Sequence, residues 1–254
     1  MIRDGEGLRG VYRGLDVGEL IRTSDFTSVV FHHLTGRLPT KGEGRVIDAI
    51  LIAGLDHTFS SAFPARIVIA RSPESFQAAV ATGTMSIGTR RGAAANEVAQ
   101  MLLEAGASGP SDSLAERVVS DYLERSQRIP GIGNPLHKTV DPRAEGVMDV
   151  AESEGVAGVY VAAMRRIASL ATKRKGRALV VNYSGSVGAA ICDMGMDWRT
   201  ANGLVLLART GGVIANVIEE MVDPTYDEFF AELAKHNDVI YEGDDPRAVD
   251  DATG

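Results

Sequence analysis

The sequence is poor in cysteine, in aromatic residues and in positive charge. Its single cysteine, Cys192, cannot form an intrachain disulfide, and no pair of cysteines is available for a zinc site. Aromatic residues make up 6% of the 254 residues, and 34 acidic residues against 26 basic ones give a net charge of −8. Because there is no basic excess to displace counterions, the composition argues against a nucleic-acid partner. The cysteine content favours a reducing compartment.

Long apolar runs are also lacking. No stretch approaches the roughly 18 apolar residues of a membrane-spanning helix. The opening MIRDGEGLRG has no apolar stretch suited to export. We therefore expect a cytoplasmic protein with no membrane partner. With 44% hydrophobic and 24% charged residues, the chain can bury the core of one large domain or two modest ones.

Helical periodicity is abundant. DFTSVVFHHLTGRLP predicts an amphipathic helix with Phe26, Val29, Val30 and Leu34 on one face, ending at Gly36. Seven further segments are predicted to be helical: RVIDAILIAGLDH, PESFQAAVATGTMSIG, NEVAQMLLEAG, SDSLAERVVSDYLERSQ, VYVAAMRRIASLATKRKG, GSVGAAICDMG and WRTANGLVLLARTGGVIANVIEEM. No segment alternates at period two and no strand–helix–strand order appears, so the predicted fold class is all-α.

Two charged stretches are interpreted as chain or helix ends. Lys173, Arg174 and Lys175 precede Gly176, which is typical of a helix C-terminus favoured by the macrodipole, with an anion site as the alternative. The acidic residues at 240–254 predict a flexible tail.

Polar residues interrupt several apolar segments. They are Asp56, His57, Arg91, Asn182, Ser184, Arg209 and Asn216. Charges and amides in apolar surroundings need partners, either another side chain or a ligand, so this set suggests a pocket. His57 taken alone fits either a satisfied core histidine or a catalytic one.

The connection RIPGIGNPLHKTVDPRAEG, residues 128–146, is rich in glycine, proline and cationic side chains. Glycine tolerates positive φ and has no Cβ, so such a loop can bring bare amides to a small molecule. The alternative is an ordinary link between two helices.

Seven motifs in order resemble the citrate synthase superfamily, especially its short citryl-CoA lyase-like branch. They are GVYRGLDVGEL, HHLTGRLPT, LDHTFSSAFPARIV, GTRRGAAANEVAQML, IPGIGNPLHKTVDPRA, VVNYSGSVGAAICDMG and LLARTGGVIANVIEE, and they cover residues 8 to about 222. The resemblance implies a helical homodimer that makes or breaks a carbon–carbon bond next to a coenzyme A (CoA) thioester. It also implies one citrate synthase-like unit over 1–254: a large domain from about 1–125 and 180–254, and a smaller mobile domain from about 126–179.

The resemblance also identifies three candidate catalytic positions. The family uses a histidine in DH for the enolate, an aspartate in NVD as base and a histidine in GxGH at the ketone, and here these positions are His57, Ser184 and Asn134. An amide can still donate a hydrogen bond, but it does not titrate near neutral pH, and serine is a poor base without an activating neighbour. His137 either substitutes for the missing general base or has a role in packing or at the surface.

The remaining candidate site residues are likewise implied by the resemblance. The candidate CoA-binding residues are Gly131, Ile132, Gly133 and Lys138. The candidate ligands of a substrate carboxylate are Arg143 and Arg209, because arginine forms paired hydrogen bonds to carboxylates. The candidate cleft residues are Arg91, Asn182 and Asn216. No metal site and no covalent cofactor is expected, since the CoA thioester is itself a substrate.

These expectations predict an enzyme acting on an acyl-CoA and a small carboxylic or keto acid, with a substrate other than citrate. One alternative is a catalytically weak CoA-binding or regulatory homologue. The other is an acyl-CoA thioester hydrolase with Ser184 as nucleophile, for which the sequence has no local triad signature.

Overall fold

A computed structural model describes residues 2–4, 7–88 and 94–235. The N-terminal part forms two short antiparallel hairpins. The first pairs β1 (Ile2–Asp4) with β2 (Gly7–Arg9), and the second pairs β3 (Val11–Tyr12) with β4 (Leu15–Asp16). Strands of two or three residues are too short to show an alternating pattern, which is why the sequence did not indicate them.

The rest of the described chain is mainly helical, so the all-α prediction is confirmed. The α-helices are α1 (Val17–Thr23), α2 (Phe26–Thr35), α3 (Lys41–Gly54), α4 (Phe63–Arg71), α5 (Phe76–Met85), α6 (Ala95–Ala107), α7 (Leu114–Glu124), α8 (Pro142–Ser153), α9 (Val159–Lys175), α10 (Tyr183–Asp193), α11 (Thr200–Val222) and α12 (Tyr226–Lys235). A π-helix (Thr58–Ala62) precedes α4, and a 3₁₀ turn (Ser111–Ser113) precedes α7. Helices α1, α4, α8 and α12 were not predicted from the sequence.

The helix ends follow local chemistry. At the start of α3, Thr40 and Glu43 form a capping box, in which each side chain accepts a hydrogen bond from the other residue's backbone. As predicted, α2 ends at Gly36 and α9 at Gly176, both with positive φ. The basic residues before Gly176 therefore belong to a helix C-terminus.

The predicted buried face of α2 is wrong. Phe26 and Leu34 are exposed, whereas Phe31 is fully buried and His32 nearly so. His32 Nε2 lies 3.2 Å from the carbonyl oxygen of Tyr12 in the second hairpin. The hairpin packs against this side of the helix, so it is tertiary contact that selects the buried face.

The core surrounds α10, which is buried along most of its length. It packs against α3, α6, α8, α9 and α11, and its small residues allow close approach. Its last residue, Asp193, accepts hydrogen bonds from the backbone N–H groups of Gly158, Tyr160 and Val161 at 2.8–3.0 Å. The end of α10 thus caps the N-terminus of the preceding helix, α9.

The predicted division into two domains stays a prediction. The apolar core around α9 includes residues of α6, α7 and α8 as well as Val181 and Ala189. This core extends across the predicted boundaries at 125 and 180.

Helix α11 is long and apolar enough to cross a membrane, a property that no segment was expected to have. Its mean hydropathy reaches 1.4. However, Arg209, Asn216 and Glu220 lie on its buried side, and it packs against α3, α4, α5 and α6. These contacts are those of a core helix of a globular protein.

Candidate active site

The C-terminal end of α3 is held between α10 and α11, and this fixes the position of His57. Tyr183 on α10 donates a hydrogen bond of 2.9 Å to the carbonyl oxygen of Ile50. A Cβ on Gly54 would lie 2.2 Å from the Tyr183 hydroxyl, and one on Gly212 of α11 would lie 1.8 Å from the Leu55 carbonyl oxygen. Glycine at both positions is therefore required for this approach.

His57 lies between α3 and the π-helix and is half-buried. Burial lowers its pKa, and the positive charges of Arg209 and Arg143 lower it further. The imidazole is therefore neutral at neutral pH, so that one ring nitrogen can donate and the other accept a hydrogen bond. The structure brings His57, Arg143 and Arg209 within electrostatic range of one another, as a shared pocket requires.

Arg209 is a buried cation. It is only 3% exposed, and its Nη1 has no hydrogen-bond partner among the described residues. Burial lowers the pKa of its guanidinium. A buried charge with an unsatisfied donor is costly unless a ligand supplies the partner. Arg209 thus has the environment expected of an anion ligand.

Arg143 is positioned by Asp141, which caps α8. The fully buried Asp141 carboxylate accepts hydrogen bonds from the Arg143 backbone N–H at 3.1 Å, from Nε at 3.1 Å and from Nη2 at 2.9 Å. Burial opposes ionisation of Asp141, but the contacts with Arg143 outweigh it and lower its pKa. The Arg143 guanidinium carbon lies 5.9 Å from the centre of the Tyr183 ring. Nη1 is not used in these contacts.

The side-chain amide of Asn134 has a fixed orientation. Its Oδ1 accepts hydrogen bonds from the backbone N–H groups of Leu136 and His137 at 2.9 and 3.2 Å, and its Nδ2 donates to Asp141 at 2.8 Å. Since Nδ2 carries two hydrogens, one of them has no acceptor among the described residues. Any ligand group met by this amide nitrogen must be a hydrogen-bond acceptor.

The predicted glycine loop has an internal structural role. The Gly131 carbonyl accepts from the Asn182 N–H, and the Gly133 N–H donates to Val180, so that Ile132 and Val181 form an antiparallel bridge. A Cβ on Gly131 would lie 2.8 Å from the Gly185 Cα. Gly131 is thus needed for contact with α10, and CoA binding by this loop stays a prediction. The interpretation of 128–146 as a single connection is wrong beyond Asp141, because α8 begins at Pro142.

Asn182 and Ser184 lie at the start of α10. Asn182 caps the helix by accepting from the Gly185 N–H at 3.2 Å, and it donates to the Gly133 carbonyl at 3.0 Å. Both ends of its amide have partners, which accounts for this polar residue without a ligand. Ser184 is half-buried, and no hydrogen bond of its hydroxyl to another described residue is present. Nothing in this part of the chain activates Ser184 as a base or nucleophile.

The other predicted residues differ in placement. Lys138 is exposed and donates from Nζ to the Asn134 carbonyl at 3.3 Å, so its contact with a phosphate stays a prediction. Arg91 lies outside the described residues. Asn216 is buried in a hydrogen-bonded network with Asp56 and Arg66, described below. Within 2–4, 7–88 and 94–235, no group of three or more metal-ligating His, Cys, Asp or Glu side chains occurs.

Sequence reasoning missed three residues of this region, namely Asp141, Tyr183 and Arg66. Arg66 stands among apolar residues in FPARIVIA, the same signal that singled out Arg209. Tyr183 and Asp141 had no comparable signal. Tyr183 is an aromatic residue at the start of an apolar helix, and an aspartate before Pro-Arg is a common capping or turn residue.

The described residues define a mainly helical protein in which the charges of Arg143 and of the buried Arg209 act on a neutral histidine, His57. Residues 41–227 match the family described as citrate synthase, C-terminal domain. The chain belongs to this family.

Two relatives illustrate the match. The citryl-CoA lyase of Hydrogenobacter thermophilus superposes with a TM-score of 0.82 and 29% identity, covering 95% of this chain and 93% of that one. The citrate synthase of Deinococcus radiodurans is 28% identical over 196 residues, which are 75% of this chain and 51% of that protein. The chain thus spans about half the length of the curated relatives it matches.

A second solved structure shows likeness of fold alone. It is the citrate synthase of Thermoplasma acidophilum in complex with carboxymethyl-CoA and oxaloacetate, at a TM-score of 0.68 and 19% identity, covering 89% of this chain and 59% of that one.

Proposed function

We propose that this chain makes or breaks a carbon–carbon bond next to a CoA thioester, in the manner of citryl-CoA lyase, on an acidic substrate other than citrate. The observation that carries the proposal is the buried Arg209, whose Nη1 lacks a partner among the described residues and whose charge acts on His57 together with that of Arg143. Two arginines beside a neutral histidine suit a substrate that carries a carboxylate next to a polarised carbonyl.

In the cleavage direction the substrate's hydroxyl loses its proton, the carbon–carbon bond breaks, and the electron pair forms the enolate of the thioester. The hydroxyl carbon leaves as a keto acid. The enolate then takes a proton at carbon to give the shorter acyl-CoA. We assign to His57 the hydrogen bond to the enolate oxygen, and to the free N–H of Asn134 the hydrogen bond to the ketone oxygen. Arg143 and Arg209 bind the carboxylate.

Proton removal is the step for which the site has least provision. Asn134 cannot accept the proton, and the hydroxyl of Ser184 has no activating partner among the described residues. Asp141 is buried beneath Arg143, with a lowered pKa. General-base catalysis contributes roughly 100- to 10,000-fold, so citrate synthesis should be strongly impaired. This is the reason for proposing a different substrate.

The same observation favours a second candidate, a catalytically weak homologue that binds CoA or regulates an active subunit. It predicts ligand binding without turnover. A Ser184 thioesterase has less support, because neither a histidine nor a carboxylate contacts that hydroxyl in the described part of the chain.

Ligand binding tests the site first. Thermal-shift measurements with oxaloacetate, malate, citrate and simpler keto acids should find at least one stabilising ligand, by linkage. Arg143→Ala should abolish the shift, while Arg199→Ala, which removes an exposed arginine paired with Asp197, should retain it. Calorimetry with CoA and dephospho-CoA should detect binding that Lys138→Ala weakens. The pocket has been misplaced if the Arg143 variant keeps the full shift.

Turnover separates the two candidates. Thioester consumption and thiol release are followed over a panel of acyl-CoAs, citryl-CoA included. His57→Ala should cost roughly 2.7–4 kcal/mol of transition-state stabilisation in whatever reaction is found, the scale for one oxyanion donor. The double change Asn134→His with Ser184→Asp should leave citrate formation near background. Robust citrate synthesis by that variant would overturn the altered-substrate proposal, and binding without turnover would favour the second candidate.

We also propose a homodimer. Support comes from large apolar side chains on the outer side of α11, where Ile214, Ile218, Met221 and Val222 are 37–80% exposed. Exposed apolar patches of this kind are typical of protein interfaces. Light scattering after size exclusion should give twice the 26.9 kDa chain mass. Ile218→Glu should lower the measured mass toward that of a single chain.

A further inference from the structure

We infer that Arg66 is a positioning residue for His57 and acts on it through the side chains of Asn216 and Asp56. The inference rests on the proposed function for the role of His57, but the contacts that carry it are independent of any substrate. Arg66 is on α4, and Asn216 is on α11, 150 residues further along the chain.

The first link fixes an amide. Arg66 donates to Asn216 Oδ1 from Nε at 3.2 Å and from Nη2 at 2.9 Å. With its oxygen held in this way, Asn216 presents Nδ2 on the opposite side, where it donates to Asp56 Oδ1 at 3.2 Å and to the Gly212 carbonyl at 2.9 Å. A flipped amide would place two donors against the guanidinium, so Arg66 determines which way Asn216 points.

The second link reaches the histidine. The Asp56 Oδ1 that accepts from Asn216 also accepts from the backbone N–H of His57 at 2.7 Å. The His57 carbonyl oxygen accepts hydrogen bonds from the Ser60 N–H at 3.1 Å and from the Ser60 hydroxyl at 3.2 Å. With φ −158° and ψ 89°, His57 lies outside both the preceding α-helix and the following π-helix, so its own N–H has no helical hydrogen bond to another described residue. The Asp56 carboxylate supplies the orientation instead.

Arg66 is itself held on its other side by acidic residues. Its Nη1 donates to the Glu220 carboxylate at 2.8 Å, and its Nη2 pairs with Glu219. Burial opposes ionisation of Glu220, but hydrogen bonds from Arg66 and Thr225 outweigh it and lower its pKa. Glu220 Oε1 also accepts the N–H groups of Thr225 and Tyr226, where α12 begins. The network therefore runs from α12 to the candidate active site.

Only arginine fits this position. A planar guanidinium can donate twice to one oxygen and still reach two carboxylates, whereas an ammonium is a compact point charge. Arg66→Lys keeps the charge beside Glu220 but loses the paired contact with Asn216. It is therefore the variant that isolates positioning from charge.

The test uses NMR of the histidine ring protons in the full chain. The sequence has five histidines, and the resonance absent from a His57→Gln spectrum identifies His57. Arg66→Lys should move this resonance and its titration midpoint, whereas those of the other histidines stay in place. Arg165→Lys is the matched control, because Arg165 pairs with three carboxylates, Glu145, Asp149 and Glu152, outside this network.

If Arg66→Lys does not fold, Asn216→Ala breaks the middle link and should move the same resonance. In a turnover assay Arg66→Lys should lower kcat, by up to roughly 100-fold for a displaced catalytic group, with KM unchanged. The NMR result does not depend on turnover, so failure of the proposed function is distinguishable from failure of this inference. An unmoved His57 resonance in a folded variant, or an equal movement in Arg165→Lys, would overturn it.

Discussion

Gly212 and Leu55 are in backbone contact, since a Cβ on Gly212 would lie 1.8 Å from the Leu55 carbonyl oxygen. This contact joins the middle of α11 to the turn that carries His57. Arg209 precedes Gly212 by one helical turn, so the same approach brings the buried guanidinium toward the imidazole. The geometry of the candidate site thus depends on a glycine that has no side chain of its own to contribute to it.

We predict that Gly212→Ala lowers the free energy of unfolding by roughly 1–3 kcal/mol, the scale of overpacking, because backbone must move to admit the methyl group. Gly203→Ala on the same helix is the control. Its Cβ would meet nothing within 4 Å. It should be neutral or stabilising by up to about 1 kcal/mol from helix propensity. Urea denaturation measures both, and equal stabilities would contradict the prediction.

Arg209→Met should raise the melting temperature of the ligand-free protein while it abolishes stabilisation by keto acids. The variant replaces a buried charge, one donor of which has no partner in the described chain, with an apolar side chain of similar length. Differential scanning fluorimetry with and without ligand checks both effects. A lower melting temperature without ligand would mean that Arg209 is satisfied within the protein.

Stability should fall as the pH is lowered below the ordinary histidine value of 6.5, in part because of His57. The folded-state pKa of His57 is lowered by burial and by Arg209 and Arg143, so the unfolded chain binds more protons in this window. The free energy of unfolding then rises with pH, and the contribution is complete above 6.5. His57→Gln should flatten this dependence in urea titrations at several pH values, and an unchanged dependence would contradict the prediction.

Asp141→Asn should destabilise the protein at neutral pH. Asparagine still caps a helix, but the charged partner of Arg143 is lost, at roughly 1.5–3 kcal/mol for hydrogen bonds to a charged group. Because the folded pKa of Asp141 is lowered, its stabilisation is complete above the ordinary value of 3.8 and is lost as the pH falls through the lowered value. The difference between wild type and variant should therefore close in acid.

The exposed pair of Asp197 and Arg199 provides the control for that experiment. Asp197→Asn removes a carboxylate whose arginine is 70% exposed, so the change in unfolding free energy should stay below about 1 kcal/mol. If both aspartate variants lose the same stability, the buried position of Asp141 adds nothing.

Much of the fold could be predicted from local chemistry. The spacing of apolar residues identified α2, α3 and α5 to α7 as well as α9 to α11, and Gly36 and Gly176 marked the ends of α2 and α9. Where prediction failed, the segments were short or began with residues that are also common in loops. Helix α8, for example, begins at a Pro-Arg pair that is also common in loops, and the hairpin strands of two or three residues are too short to show an alternating pattern.

The sequence by itself determined which residues are polar in apolar surroundings, and so selected His57, Arg209 and Asn216 together. It could not show which of them have hydrogen-bond partners within the protein and which do not. Asn216 is satisfied by Arg66 and Asp56, whereas Arg209 has a donor without a partner in the described chain. That distinction depends on contacts between residues far apart in the sequence, such as Arg66 and Asn216, which are 150 positions apart. Only packing of α4, α11 and the end of α3 decides it, because hydrogen bonds are directional and short-ranged while sequence spacing carries no information about distance in space.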